Sequence, residues 1–264
     1  MSANNARFEK VAVEAAQAGG EVLRRRFGDG LRLTVEVKAK HDYVTEVDRE
    51  AESAVTEVLR RRFPDHAILA EEGSTGGPHA EYRWIVDPLD GTTNFIHGVP
   101  AFAVSIGLTD ETGLVAGAVC DPCRNETFHA HRGGGAFLSG ARIACSDLDH
   151  LDAALIATGF PFREMVHLPA YLDAFERFVR STSGLRRAGS ASLDLVYTAC
   201  GRYDGFFEIG LKPWDLAGGA LIVREAGGIV TDVHGGSGFL EEGSVVAAGS
   251  RLHAAMLAIT RATL

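Results

Sequence analysis

Apolar residues recur at helical spacing along the start of the chain: Phe8, Val11, Ala15, Ala18, Val22 and Leu23 predict an amphipathic helix over 3–27 that closes at Gly28. The seven residues Glu21–Phe27 recur at Glu57–Phe63, the predicted end of a second helix before Pro64. Cations in the last turn complement the helix dipole, which accounts for both arginine triplets without a nucleic-acid partner. Between the helices, Leu31–Lys38 alternates as a strand does, and Thr45 is placed to cap the second helix. Asp48, at its third position, completes an acidic capping box and needs no chemistry to explain it. Two short apolar runs follow, Ala67–Ala70 leading into Glu71-Glu72, and Trp84–Val86 leading into Asp87. Ala101–Leu108, Gly113–Cys120 and Glu126–His131 read as successive strands of an antiparallel meander. Gly133-Gly134-Gly135 is a turn without the strand-to-helix context of a nucleotide fingerprint.

The pattern changes around Arg142–His150, which divides the chain into halves, 1–145 and 146–264, expected to form one catalytic unit. The second half alternates strand and helix: 153–158, 168–180, 184–187, 190–200, 203–208, 214–226, 229–232, 244–248 and 250–262. Such alternation predicts a mixed sheet covered by helices.

Composition narrows the functional classes. At 46% hydrophobic and 23% charged residues the chain is an ordinary globular protein. A net charge of −9 argues against a general binder of nucleic acid or anionic membrane, and suits a carboxylate-rich site that uses cations to hold an anion. No stretch reaches membrane-spanning length and residues 1–20 lack a signal-peptide core, so cytoplasm is the expected location. Cys120-Asp-Pro-Cys123 has redox or zinc spacing, but no second pair balances it, and all four cysteines read as unpaired thiols.

The chemistry concentrates in Trp84-Ile-Val-Asp-Pro-Leu-Asp-Gly-Thr-Thr93. Pro88 and Gly91 mark a turn that projects Asp87 and Asp90, and Thr92 opens a helical turn through Asn94–His97. Two carboxylates beside free N–H groups suit a divalent cation holding a phosphate, though Asp, Pro and Gly also make ordinary turns. Asp215, in Lys-Pro-Trp-Asp-Leu at a predicted helix start, reads equally as a cap.

Taken together, Trp84–Phe95 and Trp214–Gly228, with Val44–Asp48, Glu71-Glu72, Arg186–Ala191 and Asp204–Glu208, resemble the inositol monophosphatase family of metal-dependent, lithium-sensitive phosphatases, most of all its bacterial inositol-1-monophosphatase branch. The resemblance implies an α/β, mixed α+β, fold layered αβαβα. It implies a first Mg²⁺ held by Glu71, Asp87 and the carbonyl of Leu89, and a second held by Asp87, Asp90 and Asp215. A third, weaker ion near Glu71 occurs in some members, and Mn²⁺ is a possible substitute. The N–H groups of Gly91 and Thr92 would hold phosphate, with glycine at 91 leaving room for its approach. Glu71 and Thr92, backed by Asp48, would orient and deprotonate a metal-activated water that attacks phosphorus directly. Asp90, Arg186, Gly189, Ala191 and Glu208 match substrate contacts. Lys38 lies near a site-facing lysine of many relatives, and 74–81 could form a flap.

The resemblance thus implies a cytoplasmic, homodimeric Mg²⁺-dependent phosphomonoesterase acting on myo-inositol 1-phosphate or a similar polyol monophosphate. The alternatives are the same chemistry on histidinol phosphate, a 3′-phosphoadenosine nucleotide or fructose 1,6-bisphosphate, and a mainly non-catalytic binding partner.

Overall fold

Helix α1 (Ser2–Arg26) is followed by the hairpin β1 (Val35–Ala39) and β2 (Asp42–Thr45), and by α2 (Glu46–Arg62), in a computed structural model that describes residues 2–28, 35–39, 42–75, 80–162 and 165–264. The capping box forms as its sequence requires: Thr45 Oγ1 accepts from Val47 N at 3.1 Å, and Thr45 N donates to Asp48 Oδ2 at 2.8 Å. Next come β3 (Ala67–Ala70), β4 (Ser74–Thr75), β5 (Arg83–Asp90), the short helix α3 (Thr92–Ile96), β6 (Ala103–Asp110), β7 (Gly113–Asp121), β8 (Glu126–His131), β9 (Gly135–Leu138) and β10 (Ala141–Ile143). The remainder comprises β11 (Leu155–Thr158), α4 (Leu168–Ser181), β12 (Gly184–Arg186), α5 (Ala191–Ala199), β13 (Gly205–Ile209), α6 (Pro213–Glu225), β14 (Gly228–Thr231), α7 (Phe239–Glu242), β15 (Ser244–Gly249) and α8 (His253–Arg261).

Strands β3 to β10 form one eight-stranded sheet in the order β10-β9-β8-β7-β6-β5-β3-β4. Its pairs are antiparallel except β3 with β5, so the meander expected over β6–β8 is present. The second sheet, β12-β11-β13-β15-β14, is mixed, with its parallel pairs on the β12 side.

Strand alternation builds the layers. Trp84 and Val86 of β5 pack with α1 and α2, while Ile85 faces the opposite way, into a core shared with α5 and α6. In the smaller sheet Phe206, Val245 and Ala247 join that central core, whereas Phe207, Val246 and Ala248 pack with α4 and α8. The order is therefore α1/α2, large sheet, α5/α6, small sheet, α4/α8: the expected αβαβα arrangement. Helix α6 is buried from Asp215 to Val223, and lies directly on the large sheet. A Cβ on Gly117 would stand 2.7 Å from the carbonyl oxygen of Gly218, and one on Gly218 would stand 2.8 Å from that of Ile106.

Some boundaries differ from expectation. Strand β5 runs through Asp90, and its register with β6 breaks between Asp87 and Asp90. The two acids thus stand on a bulged strand, because Pro88 has no N–H to donate to a neighbour and Leu89 N turns to Asp87 Oδ1 at 2.9 Å. Strands β9 and β10 and helix α7 were not expected. Residues 31–34 of the expected first strand, residues 76–79 of the 74–81 segment and the side chain of Lys38 lie outside the described residues. Among the described residues no helix is long and apolar enough to cross a membrane, and all four cysteines are free thiols.

Candidate active site

The bulge in β5 and the start of α6 meet where the large sheet faces the central helices. Carboxylate oxygens of Asp87, Asp90 and Asp215 lie within 4.8 Å of one another. Asp215 is fixed as a cap, with Lys212 N donating to its Oδ2 at 2.7 Å, so its structural and chemical readings coexist. The three acids and Glu71 line one side of a cavity of about 350 Å³. Glu71 is the member of its pair that faces inward; the N–H of Glu72 is tied to Glu52 Oε2 at 3.0 Å.

The carboxylates of this group act on one another electrostatically. Burial pushes the Asp87 carboxyl well above its usual range, and the negative charges of Glu71, Asp90 and Asp215 push it further. Burial also raises Asp90, although four donors oppose the shift: Ser192 Oγ at 2.5 Å, Ser190 Oγ at 2.7 Å, Ser192 N at 2.7 Å and the backbone N–H of Ala191. The donors from Ser190 and Ser192 all reach Oδ2. Four oxygen-donor side chains converge here without a histidine or thiol among them, a set suited to a hard divalent ion and unsuited to zinc-type coordination.

Beside the acids, Gly91 caps α3 at φ +97°, a conformation that favours glycine, and a Cβ there would stand 2.9 Å from the carbonyl oxygen of Ala101. Backbone geometry and the Ala101 contact therefore require this glycine, apart from any room needed by a ligand. Thr92 lines the cavity, and its Oγ1 lies 3.2 Å from Asp48 Oδ1 and 3.0 Å from the Leu89 carbonyl. Asp48 thus joins the capping box to the site. Burial raises its pKa and Glu72 adds to the rise, against the hydrogen bonds from Thr45 and Thr92.

The second half supplies the facing wall. Gly189, Ala191 and Glu208 line the cavity as expected, together with Phe160, Pro161 and Phe162. The Glu208 carboxylate lies against the bare Cα of Gly159, where a Cβ would overlap it. Arg186 does not line the cavity: it is exposed and its Nη1 donates to the Leu185 carbonyl at 2.9 Å. Arg187 is the arginine that does. In strand and loop, neighbouring side chains point to opposite sides, and the sequence pair alone does not say which one faces in.

Four further residues escaped the sequence reading: Ser190 and Ser192, which hold Asp90, Arg187, and Asp194. The last is buried on α5 with no partner for Oδ1 among the described residues. Burial raises its pKa strongly, and the charges of Glu208 and Asp90 reinforce this against Arg187. Ser190 makes no cap hydrogen bond on α5, and its acceptor, Asp90, lies 100 positions away, where local sequence gives no signal of it.

Comparison with known proteins places the chain in a family. The sequence pattern of the inositol monophosphatase family matches residues 4–263. The Nus factor SuhB of Pseudomonas aeruginosa is 49% identical over 252 residues, spanning 94% of this chain and 93% of that protein. The crystal structure of the extragenic suppressor protein suhB from Bartonella henselae superposes with a TM-score of 0.93 at 40% identity, over 97% of this chain and 98% of that one. The inositol monophosphatase from Anabaena (Nostoc) sp. PCC 7120 gives 0.87 at 36% identity, over 99% and 98%.

Proposed function

The chain belongs to the inositol monophosphatase family, and on that premise we propose that it is a Mg²⁺-dependent phosphomonoesterase acting on myo-inositol 1-phosphate or a similar polyol monophosphate. The observation that carries this reading is the convergence of Asp87, Asp90 and Asp215 beside Glu71 in one cavity. Glu71, Asp87 and the Leu89 carbonyl would hold one cation, and Asp87, Asp90 and Asp215 a second, with Mn²⁺ an acceptable substitute and a third ion near Glu71 an option. When bound, such ions supply Lewis-acid stabilisation of the phosphoryl charge and a water of lowered pKa.

The protein's own groups do the rest. The N–H groups of Gly91 and Thr92 hold phosphate oxygens, and the Thr92 hydroxyl, backed by Asp48, orients the attacking water together with Glu71. Asp90, Gly189, Ala191 and Glu208 receive the alcohol, with Glu208 accepting from its hydroxyls. No side-chain nucleophile is needed, because the attacking group in this reading is water. A cytoplasmic homodimer with lithium sensitivity completes the reading.

A panel of phosphate esters, assayed for phosphate release with Mg²⁺ and with added Li⁺, tests this. Inositol 1-phosphate is expected to lead histidinol phosphate, 3′-phosphoadenosine nucleotides and fructose 1,6-bisphosphate. Asp90→Asn and Asp215→Asn are expected to abolish release in a folded protein. Normal turnover by either at saturating Mg²⁺ defeats the proposal.

The name Nus factor borne by the P. aeruginosa relative favours a second reading, in which a binding role matters beside the phosphatase site. Rescue of a deletion strain by the Asp90→Asn variant would support that reading, and failure to rescue would leave catalysis as the function that counts.

A further inference from the structure

We propose that Asn94 is a positioning residue: it holds the turn at Gly91 and Thr92 against the second half of the chain and so aims the N–H groups that receive phosphate. The inference rests on the phosphatase reading above and deepens it, by giving a role to a cavity residue outside the set that the resemblance implied.

Asn94 lines the cavity and reaches in two directions. Its Nδ2 donates to the Ala101 carbonyl at 2.7 Å, in the first half of the chain, and to the Ala188 carbonyl at 2.8 Å, in the second. The Gly189 carbonyl stands 3.4 Å from the same nitrogen. An amide nitrogen carries two hydrogens, and here each is directed at a carbonyl oxygen. Those oxygens also decide which end of the amide is which, because an oxygen in place of Nδ2 would face all of them at short range. The side chain is therefore held in one orientation by the groups it joins.

The neighbours of Asn94 meet the same stretch of the second half. A Cβ on Gly91 would stand 2.9 Å from the Ala101 oxygen and 3.3 Å from the Gly189 oxygen, so the turn is packed between these two segments. Asp90 is bonded to Ser190 and Ser192. Residues 90, 91 and 94 thus touch 188–192 by a carboxylate, by backbone packing and by a side-chain amide. On the other side of α3, Phe95 is buried and meets Phe102 edge to face, with ring centres 4.9 Å apart. Two consecutive residues fasten the element to opposite layers.

Such fastening matters because α3 has only 5 residues, and no side chain caps it. A single helical turn does not keep its shape in water by its own hydrogen bonds. The direction of the Gly91 and Thr92 N–H groups is therefore set by what the turn is tied to, and hydrogen bonds to a phosphate weaken steeply once those groups point aside. The cation ligands are held differently. Leu89 N donates to Asp87, Ser190 and Ser192 donate to Asp90, and Lys212 N donates to Asp215. None of these bonds involves Asn94, so loss of its amide should disturb the phosphate turn and spare the acids.

The test compares Asn94→Ala with Asn94→Asp, which keeps the shape but replaces the donor by an acceptor and still serves should the alanine variant not fold. Calorimetry measures inorganic phosphate binding to protein saturated with Mg²⁺ and, separately, Mn²⁺ binding to the metal-free protein. Phosphate affinity is expected to fall about tenfold or more in both variants, the scale of loss that small misplacements produce. Mn²⁺ affinity is expected to stay within about threefold of the wild type, because the donors to the acids remain. With a phosphate ester as substrate, kcat/KM should fall at an unchanged Mg²⁺ requirement. Phosphate affinity within about twofold of the wild type in either folded variant overturns the proposal. So does a loss of Mn²⁺ affinity as large as the loss for phosphate, since Asn94 would then support the site as a whole. Failure of the phosphatase reading appears separately, as a wild type that binds phosphate with Mg²⁺ and releases none from any ester, and the two affinities still report on Asn94.

Discussion

The carboxylate of Asp90 accepts both the backbone N–H and the hydroxyl of Ser192, at 2.7 and 2.5 Å, across 102 positions of sequence. One residue ends a strand of the large sheet and the other opens a helix of the central layer. These donors fix the orientation of an acid that would hold a cation. Ser192→Ala removes one of them, and is expected to weaken Mg²⁺ or Mn²⁺ binding by about 10- to 100-fold, read from the metal dependence of phosphate release. An unchanged metal requirement would mean that Asp90 is oriented by its other contacts alone.

Asp87 makes the metal-free protein sensitive to pH in an unusual direction. Its folded-state pKa lies above the unfolded value, so the folded chain binds more protons, and this group's contribution to stability falls as pH rises from about 4 upward. Asp110, held at about 2 by Arg132 despite its burial, acts in the opposite sense and in a separate window, being lost only as pH falls toward 2. Cation binding requires the ionised cluster. The rise in unfolding temperature on adding Mg²⁺ is therefore expected to grow between pH 5 and pH 8. Asp87→Asn should raise the metal-free unfolding temperature, by roughly 2–4 °C for each kcal/mol of relieved repulsion, and abolish the Mg²⁺ effect. A constant Mg²⁺ effect across that range would refute the linkage.

Asp194 is expected to be a neutral acid inside the protein, since burial and the charges of Glu208 and Asp90 outweigh that of Arg187. Asparagine has nearly the same shape as the protonated acid. Asp194→Asn should therefore change stability by less than about 1 kcal/mol and leave the pH–rate profile in place. A profile displaced in the variant would show that the group ionises in the working protein.

Gly159 gives the Glu208 carboxylate its place. A methyl group there can be accommodated by swinging the flexible Glu208 side chain aside, at modest cost to folding. Gly159→Ala is expected to reduce kcat/KM roughly tenfold, a loss of about 1.4 kcal/mol, and to add little once Glu208 is already changed to Gln. Fully additive losses in the double variant would place the two residues in separate roles.

How far the sequence foretold this site depended on what kind of information each residue carries. Asp87, Asp90 and Asp215 sit in two long motifs, and the layers came with the family resemblance those motifs carry, while alternation gave a mixed sheet covered by helices. Thr45 and Asp48 were legible as a capping box, because capping is local. Ser192, Gly159 and Arg187 act on partners far away in sequence, and locally they look like a helix start, a strand end and one of two adjacent arginines. The bulge in β5 was hidden by its own residues: Pro88 reads as the corner of a turn, whereas the strand continues past it. Arg186 and Arg187 could be separated only by knowing which way the backbone faces.

Helix α6 rests on the large sheet through the Gly117–Gly218 contact and delivers Asp215 to acids that come from β5. A chain leaving the ribosome has both β5 acids long before it has Asp215, and Ser190 and Ser192 also arrive late. A fragment ending with the large sheet could fold its meander and still hold no complete cation site. Metal capture would thus follow the arrival of α6: an ion retained by the protein reports that this helix has been made and docked on the large sheet.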